Sequence, residues 1–253
     1  MRLLIDVGNT ATKFAYFEGD FHYVGRLYNK DINDDSVLAL LKSLSNIDSI
    51  YISSVAPKIR TNLVVLLENR YGVKPVIVSN KIESNIKIEI DNREELGVDL
   101  LCDLEAAYKE YGPKTAVIDF GTATKILFIN DKGVFNSCAI FLGYMKSKRI
   151  LADSTELLPE VENKGIKPIS RCHNTVDVID SSAYYSQLFS VKGIVEEYEK
   201  EVGYTLKKVF TGGNAKDFIN HFKEDNYDEY LVLKGLLILS NRKELHHEEN
   251  TIR

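Results

Sequence analysis

The stretch LLIDVGNTATKFAYF, residues 3–17, decides how the rest of the sequence is interpreted. An apolar run leads to Asp6, a turn containing Gly8 follows, and an alternating apolar run comes after the turn, so the pattern predicts strand, glycine turn, strand. Residues 116–128, AVIDFGTATKILF, repeat it almost letter for letter once Asn9 is skipped. An internal repeat of this kind predicts two copies of one supersecondary unit, about 110 residues apart.

Both copies place a carboxylate at the end of a strand, next to a tight turn. Gly8 and Gly121 let the backbone turn sharply and come close to a ligand. Successive backbone N–H groups and threonine hydroxyls can then hold phosphate oxygens, and Asp6 or Asp119 can hold a metal ion or its water shell. The alternative is two ordinary β-hairpins with Gly-Asn and Gly-Thr turns. The repeated acid and threonines favour nucleotide binding, because a turn alone requires neither.

The composition is that of a soluble globular protein: 253 residues, 44% hydrophobic and 27% charged. A formal net charge of −5 disfavours nucleic-acid binding. No apolar run approaches the roughly 20 residues that a membrane span needs, and the N-terminus enters a strand without a basic and apolar leader. The cysteines Cys102, Cys138 and Cys172 are widely spaced, which indicates reduced, mostly buried thiols of a cytoplasmic protein.

The order of predicted elements in the first half is β-β-β-α-β-α-β, which is that of a ribonuclease-H-like domain. The dipeptide Gly112-Pro113 interrupts the chain just before the second copy of the repeat. We therefore expect an α/β protein with mixed sheets flanked by helices, divided into two ribonuclease-H-like domains at residues 1–112 and 113–253.

Four local predictions concern segments near the repeats. Asp35 or Ser36 is expected to cap a helix, and residues 81–91 alternate like an edge strand. Residues 181–202 are expected to form a long helix, and a further helix is expected from Ala215.

Several polar residues have two interpretations each. Asp99 and Asp103 lie one helical turn apart and form either a solvated face or, with Gly97 before them, a functional acid pair. Near residue 148, three cations form either a solvated face or a phosphate contact: Lys146, Lys148 and Arg149. His173 is expected at the surface.

With these residues in view, the sequence resembles the type III pantothenate kinases of the actin-like ATPase superfamily over nearly the whole chain. The resemblance is carried by five motifs: Asp6-Val7-Gly8-Asn9-Thr10 with Lys13, Asp119-Phe120-Gly121-Thr122-Ala123-Thr124, Glu95-Leu96-Gly97-Val98-Asp99, Asn174-Thr175 and Thr211-Gly212-Gly213. It implies the actin-like ATPase fold, a homodimer, and ATP-dependent phosphorylation of pantothenate, the first step towards coenzyme A.

The resemblance also implies roles for individual residues. Asp99 would be the catalytic base, Asp6 would hold Mg²⁺, and Asp119 would hold a monovalent cation, K⁺ or NH₄⁺. Contacts with ATP are expected from Asp6, Val7, Gly8, Asn9, Thr10, Ala11, Thr12, Lys13, Gly121, Thr122, Gly212 and Gly213. Contacts with pantothenate, or a related hydroxy acid, are expected from Gly97, Val98, Asp99, Leu100 and Thr175.

The sequence departs from the family pattern mainly on the substrate side. Leu100 stands where the family has Arg, Arg93 where it has Pro, and Lys125 where it usually has a third Thr. Residues 137–143 replace a glycine-rich loop. Two interpretations follow: an active kinase in which Arg93 or another cation holds the substrate carboxylate, or a nucleotide-binding paralogue without catalysis that acts as a regulatory or interaction protein.

Overall fold

A computed structural model describes residues 1–163, 165–222 and 226–242. Its helices and strands, in chain order, are β1 (Arg2–Val7), β2 (Ala11–Glu18), β3 (Asp20–Tyr28), α1 (Asp34–Leu40), β4 (Ser49–Ser54), α2 (Pro57–Tyr71), β5 (Val76–Ile77), β6 (Lys87–Ile88), α3 (Val98–Tyr111), β7 (Thr115–Phe120), β8 (Ala123–Ile129), β9 (Val134–Leu142), α4 (Tyr144–Asp153), α5 (Thr175–Val202), β10 (Lys207–Thr211) and α6 (Leu231–Leu239). They confirm the predicted α/β class, with two mixed sheets flanked by helices.

Residue contacts divide the chain into two compact units. The first contains residues 1–113, 133–136 and 230–242, and the second contains residues 114–132 and the described residues between 137 and 229. The division into domains at residues 112 and 113 stays a prediction.

The sheet of the first unit has the strand order β3-β2-β1-β4-β5. β1 pairs antiparallel with β2 and parallel with β4, so the hairpin and the parallel strand meet along the most buried strand. The helices pack on this sheet around a core that includes Leu3, Ile5, Phe14 and Leu67. α6 packs against α3, and a Cβ at Gly235 would overlap the carbonyl of Cys102, so glycine permits this close helix contact.

The sheet of the second unit repeats that arrangement. Its order is β10-β7-β8-β9, in which β7 pairs antiparallel with β8 and parallel with β10. β6 pairs in parallel with Val134 and Phe135 at the start of β9, two residues that belong to the first unit. The second core is strongly aromatic: Phe120, Phe128, Tyr184, Phe210 and Phe218. The repeat predicted from residues 3–17 and 116–128 is therefore a repeat of sheet topology.

Four local predictions were wrong at least in part. Asn33, rather than Asp35 or Ser36, caps α1, because its Oδ1 accepts from the Ser36 N–H and the Ser36 hydroxyl accepts in return from the Asn33 N–H. The segment 81–91 does contribute an edge strand, as predicted, but only Lys87–Ile88 of it pair. The segment from Ala215 forms two short 3₁₀ turns, Ala215–Asp217 and Ile219–His221, instead of an α-helix.

The predicted long helix is present as α5 and ends at Val202, as expected, but it begins at Thr175, six residues before the predicted residue 181. Asn174 caps it by accepting from the Asp177 N–H at 3.0 Å. The additional residues at the start of α5 include Asp180, which forms a buried ion pair with Lys148 on α4. This pair helps to hold residues 175–180 in a helix although they are rich in β-branched side chains.

The cysteines are free thiols, as predicted, but burial differs among them: Cys102 is buried and Cys138 is exposed. Among the helices of the described ranges, none has the length and apolar character needed to cross a bilayer.

Candidate active site

The first acid-tipped turn joins β1 to β2. The antiparallel register places Asp6 opposite Lys13 and Val7 opposite Thr12, and the Gly8 N–H donates to the Ala11 carbonyl at 3.1 Å. Asp6 is only 6% exposed, and its Oδ1 accepts a long hydrogen bond of 3.4 Å from the Ser53 hydroxyl on β4. Asn9 and Thr10 are exposed at the tip. The turn therefore presents backbone and polar side chains to solvent above a nearly buried carboxylate.

Asn29, which was not among the residues predicted from the sequence, stabilises this turn through hydrogen bonds. Its Nδ2 donates to the Gly8 carbonyl at 2.8 Å, and its backbone N–H donates to the Thr10 carbonyl at 2.9 Å. The hydroxyl of Thr12, fully buried, donates to Asn29 Oδ1 at 3.1 Å. Thr12 thus supports the turn from inside, while Ala11 and Lys13 are partly exposed on the same strand. The only sequence signal for Asn29 is an amide side chain directly after the strand that pairs with β2.

Asp99 lies in the first turn of α3, where the helix dipole favours a negative charge. Gly97 is the N-cap residue, and a Cβ there would overlap Asp99 Oδ1, so the glycine leaves room for this carboxylate. Asp99 is partly exposed, whereas Val98 and Asp103 are buried. The predicted solvated face for Asp103 is therefore wrong, because the residue is only 3% exposed beneath Asp99.

Asp6 and Asp99 each lie close enough to the Cys102 thiol of the first unit to influence it. This thiol is completely buried and close to Ser53. Burial raises the pKa of Cys102 well above its usual value, and nearby carboxylates raise it further: Asp6, Asp103 and Asp99. A strand-end acid and a helix-start acid on the same unit are candidates for the cation ligand and the base of a phosphoryl-transfer site.

The surroundings of Leu100 and of Arg93 do not suit either residue to bind a substrate carboxylate. Leu100 is 8% exposed and belongs to the core face of α3. The Arg93 guanidinium donates to two carbonyls of the loop before α3, Asn80 at 2.9 Å and Ile82 at 2.7 Å. Asn80 in turn donates to the carbonyl of Leu96 at 2.8 Å. Arg93 therefore fixes the approach to Asp99, and these bonds leave it poorly placed to hold a substrate carboxylate.

The second acid-tipped turn joins β7 to β8 in the second unit. Its register places Asp119 opposite Lys125 and Phe120 opposite Thr124. Lys125 Nζ lies 3.2 Å from Asp119 Oδ2, with the two side chains 20% and 13% exposed. Thr122 is exposed at the tip, and Gly121 is partly exposed. This turn is one residue shorter than the first because it has no counterpart of Asn9.

Three residues from other strands and loops pack around the second turn. Gly212 follows β10 with φ +94°, and a Cβ on it would overlap Asp119 Oδ1 and the Phe120 backbone. Gly143, at the start of α4, donates to the Thr122 carbonyl at 3.1 Å. The Asn214 N–H donates to the Phe120 carbonyl at 3.0 Å. The structure therefore places predicted Gly212 beside predicted Asp119 and Gly121, and adds Gly143 and Asn214; Gly213 is exposed next to them.

The two predicted cations fit these acids differently. Asp6 suits Mg²⁺, which is usually held by one or two carboxylates, water and substrate phosphates rather than by a full protein cage. Among the described residues, no group of three or more His, Cys, Asp or Glu side chains converges as a metal site. Asp119 does not suit K⁺ or NH₄⁺ in the same way, because the Lys125 ammonium already lies against its carboxylate.

A pocket of about 810 Å³ lies between α4 and α5 in the second unit. Thr175, the first residue of α5, lines it, as do His173 and Lys148. His173 is exposed, as predicted. Lys148, for which a solvated face or a phosphate contact was predicted, is only 1% exposed and pairs with Asp180 at 2.8 Å. The solvated-face interpretation of Lys148 was therefore wrong, because the pair with Asp180 draws this cation into the protein, and the phosphate contact stays a prediction.

The fold is the actin-like ATPase fold that the sequence resemblance implied. Three solved structures with low sequence identity share this fold. A Campylobacter jejuni protein described as a conserved Baf-family transcriptional activator aligns with 99% of this chain and 100% of its own at a TM-score of 0.58 and 20% identity. A Clostridium difficile activator of 2-hydroxyisocaproyl-CoA dehydratase, solved with ADPNP, gives 0.52 at 12% identity over 100% and 98% of the two chains. A Sinorhizobium meliloti protein described as a 2-dehydro-3-deoxygalactonokinase gives 0.55 at 11% identity over 95% and 98%.

Sequence comparison narrows the class to one family. A family model described as type III pantothenate kinase matches residues 2–197. The type III pantothenate kinase of Syntrophobacter fumaroxidans is 31% identical over 96% of this chain and 98% of its own length. That of Dictyoglomus turgidum is 32% identical over 94% and 98%. The chain belongs to the type III pantothenate kinase family, which confirms the resemblance inferred from the motifs.

Proposed function

We propose that this protein transfers the γ-phosphoryl group of ATP to the primary hydroxyl of pantothenate, the first step towards coenzyme A. Family membership supports the substrate. The observation that carries the chemistry is the carboxylate of Asp99, which is partly exposed in the first turn of α3 next to Gly97.

Asp99 is the proposed base. In phosphoryl transfer most of the rate comes from positioning and charge stabilisation, and a carboxylate within hydrogen-bond reach orients the attacking hydroxyl and accepts its proton. Gly97 has no side chain to crowd the Asp99 carboxylate in its present position. Gly97 would line the substrate side, the buried Val98 and Leu100 would support it from the core, and Thr175 would contact the substrate from the N-terminus of α5.

The glycine-containing turns are the proposed phosphate contacts. The exposed Asn9 and Thr10 offer polar groups at the first turn, as Thr122 does at the second. Lys13, across the hairpin from Asp6, supplies positive charge to the phosphates. Asp6 would hold Mg²⁺, which supplies charge neutralisation for the phosphates when bound. Asp6, Val7, Gly8, Ala11, Thr12, Gly121, Gly212 and Gly213 complete the proposed ATP set by shaping or bracing the turns.

We also propose a homodimer in the cytoplasm, where ATP and pantothenate would both be available. Large apolar side chains are exposed on the α4 and α5 surface, among them Leu151, Val178 and Phe189. A face of this kind is typical of an interaction surface. Sedimentation of the intact chain would distinguish a dimer from a monomer.

The competing proposal, a nucleotide-binding paralogue without catalysis, rests on the altered substrate side. The retained Asp99, Asp6 and Gly97 disfavour it, as does the similarity of the chain to named kinases over nearly its full length. The two proposals differ in one measurable property, the rate of pantothenate-dependent ATP consumption.

The decisive test is Asp99→Asn, assayed by ADP release with and without pantothenate. Loss of a general base should lower kcat by about 10²- to 10⁴-fold, while the affinity for ADPNP measured by calorimetry should stay nearly unchanged. Asp91→Asn removes an exposed aspartate from the preceding segment and should leave both quantities unchanged. If Asp99→Asn turns over like the wild type, Asp99 is not the base; if the wild type consumes no ATP with pantothenate, the kinase proposal fails.

A further inference from the structure

The second acid-tipped turn contains its own cation. β7 and β8 pair so that Asp119 lies directly opposite Lys125, and Lys125 Nζ is 3.2 Å from Asp119 Oδ2. The two side chains are 20% and 13% exposed, so the pair is largely shielded from water. The contact follows from the hairpin register, because residues opposite each other on neighbouring strands have adjacent side chains.

Backbone atoms of the second unit close off much of the other side of the Asp119 carboxylate. A Cβ placed on Gly121 would lie 3.2 Å from Oδ1 and 3.4 Å from Oδ2, and one placed on Gly212 would overlap Oδ1. The Asp119 carboxylate is therefore enclosed by two glycine backbones and by the Lys125 ammonium. These glycines leave room for the carboxylate close to the backbone of the turn.

A monovalent metal ion would fit poorly in this arrangement. Such an ion binds through several oxygen atoms that replace its hydration shell. A lysine ammonium offers three donors and no acceptor, so it contributes no ligand, and its like charge repels a second cation. It is also a compact point charge, chemically similar to NH₄⁺.

We propose that Lys125 supplies the fixed positive charge at Asp119 and makes this enzyme independent of added K⁺ or NH₄⁺. The inference rests on the proposed kinase function for its turnover readout. The ammonium of Lys125 neutralises Asp119 beside the phosphate-binding turn Gly121–Thr122, and no dissociable monovalent ion is needed there. Lys125 is a charge-supplying and positioning residue, acting through Asp119.

The first test compares steady-state kinetics in sodium and potassium buffers of equal ionic strength. The wild type should have the same kcat/KM in both buffers, within about twofold, because a change of that size corresponds to a negligible difference in transition-state stabilisation. Lys125→Thr opens the site and adds an oxygen ligand, so it should lose about tenfold or more in sodium and recover with K⁺ or NH₄⁺. Lys125→Met removes the charge without adding a ligand and should lose activity that neither ion restores. Lys132→Thr, in the exposed turn after β8, is the matched control and should behave as the wild type.

The second test does not depend on turnover. Calorimetric titration with ADPNP and Mg²⁺ should give the same affinity in sodium and potassium for the wild type, and a potassium-dependent affinity for Lys125→Thr. If the wild type has no pantothenate kinase activity but shows this binding pattern, the kinase proposal fails and the inference about Lys125 stands. If wild-type turnover or ADPNP affinity rises several-fold with K⁺, or if Lys125→Thr gains no potassium dependence, the inference is overturned.

Discussion

Lys148→Met should destabilise the second unit strongly, because it leaves a buried carboxylate without its cation. Lys148 Nζ donates to Asp180 Oδ1 at 2.8 Å, and the two side chains are 1% and 4% exposed. The Tyr144 hydroxyl also binds Asp180, and the Lys148 ammonium lies 4.4 Å from the centre of the Tyr144 ring. Burial raises the pKa of Tyr144 well above its usual value and the hydrogen bond to Asp180 raises it further, so Tyr144 stays a neutral donor.

Breaking one partner of a buried pair typically costs about 3–5 kcal/mol. For a chain of this length each kcal/mol lowers Tm by about 2–4 °C, so we expect Lys148→Met to unfold about 6–20 °C below the wild type. Asp180→Asn should be similarly costly, because it leaves the ammonium buried. The double variant Lys148→Met with Asp180→Asn removes both charges, and should be more stable than the sum of the single losses predicts by about 2 kcal/mol or more.

The assay is urea unfolding of all four proteins followed by circular dichroism, with thermal unfolding as a second measurement. Lys146→Met, an exposed lysine on the same helix, should change stability by less than about 0.5 kcal/mol. The reasoning is refuted if Lys148→Met costs less than about 1 kcal/mol and the double variant is additive, since a buried charge pair cannot behave in that way. Because Lys148 and Thr175 line the same pocket, the KM for pantothenate should also rise in Lys148→Met.

Two further predictions concern a glycine and a thiol. Gly212→Ala should lose about 1–2 kcal/mol of stability from backbone strain at φ +94°, and it should weaken ADPNP binding by displacing Asp119. Gly193→Ala, in open space on α5, should be neutral or stabilising. Equal stability of the two variants would contradict the crowding at Gly212. Cys102 has a raised pKa in the folded protein, so unfolded chains lose this proton first and stability should fall above about pH 8.5, by at most about 1.4 kcal/mol per pH unit. Cys102→Ala should flatten that slope and Cys172→Ala should not, as urea unfolding between pH 7 and 9.5 would reveal.

The hairpin repeat could be predicted from the sequence because its signals are local. Alternating apolar residues, a glycine turn and a strand-end acid all lie within about 15 residues, which is the range over which periodicity is informative. The same holds for Asp99, whose position at a helix start follows from Gly97 and the apolar face after it. These elements could be placed without knowledge of any long-range contact.

The errors fall where a distant partner decides the outcome. Residues 175–180 are rich in β-branched and acidic side chains, which are weak helix formers, and α5 includes them because Asn174 caps the helix and Asp180 pairs with Lys148. The alternating segment near residue 85 is drawn out of the sheet by buried Glu105, whose Oε1 accepts from the Asn85 N–H at 2.6 Å. Asn29, Gly143 and Asn214 join the turns from other strands or loops, so no short window of sequence contains them.

The two copies of the repeat share a register but differ in what surrounds it, and this difference argues for separate roles. In both hairpins the strand-end acid faces a lysine, Asp6 opposite Lys13 and Asp119 opposite Lys125. The first turn has the extra residue Asn9 and is braced by a side chain, that of Asn29, which leaves its tip exposed. The second is held by glycine backbones that crowd the acid itself. A longer, open turn suits a ligand whose metal and phosphates enter and leave. An acid that is crowded by backbone and paired with a lysine of the protein suits a fixed charge. Replacing Lys125 should therefore change the ion dependence of the enzyme without changing its fold.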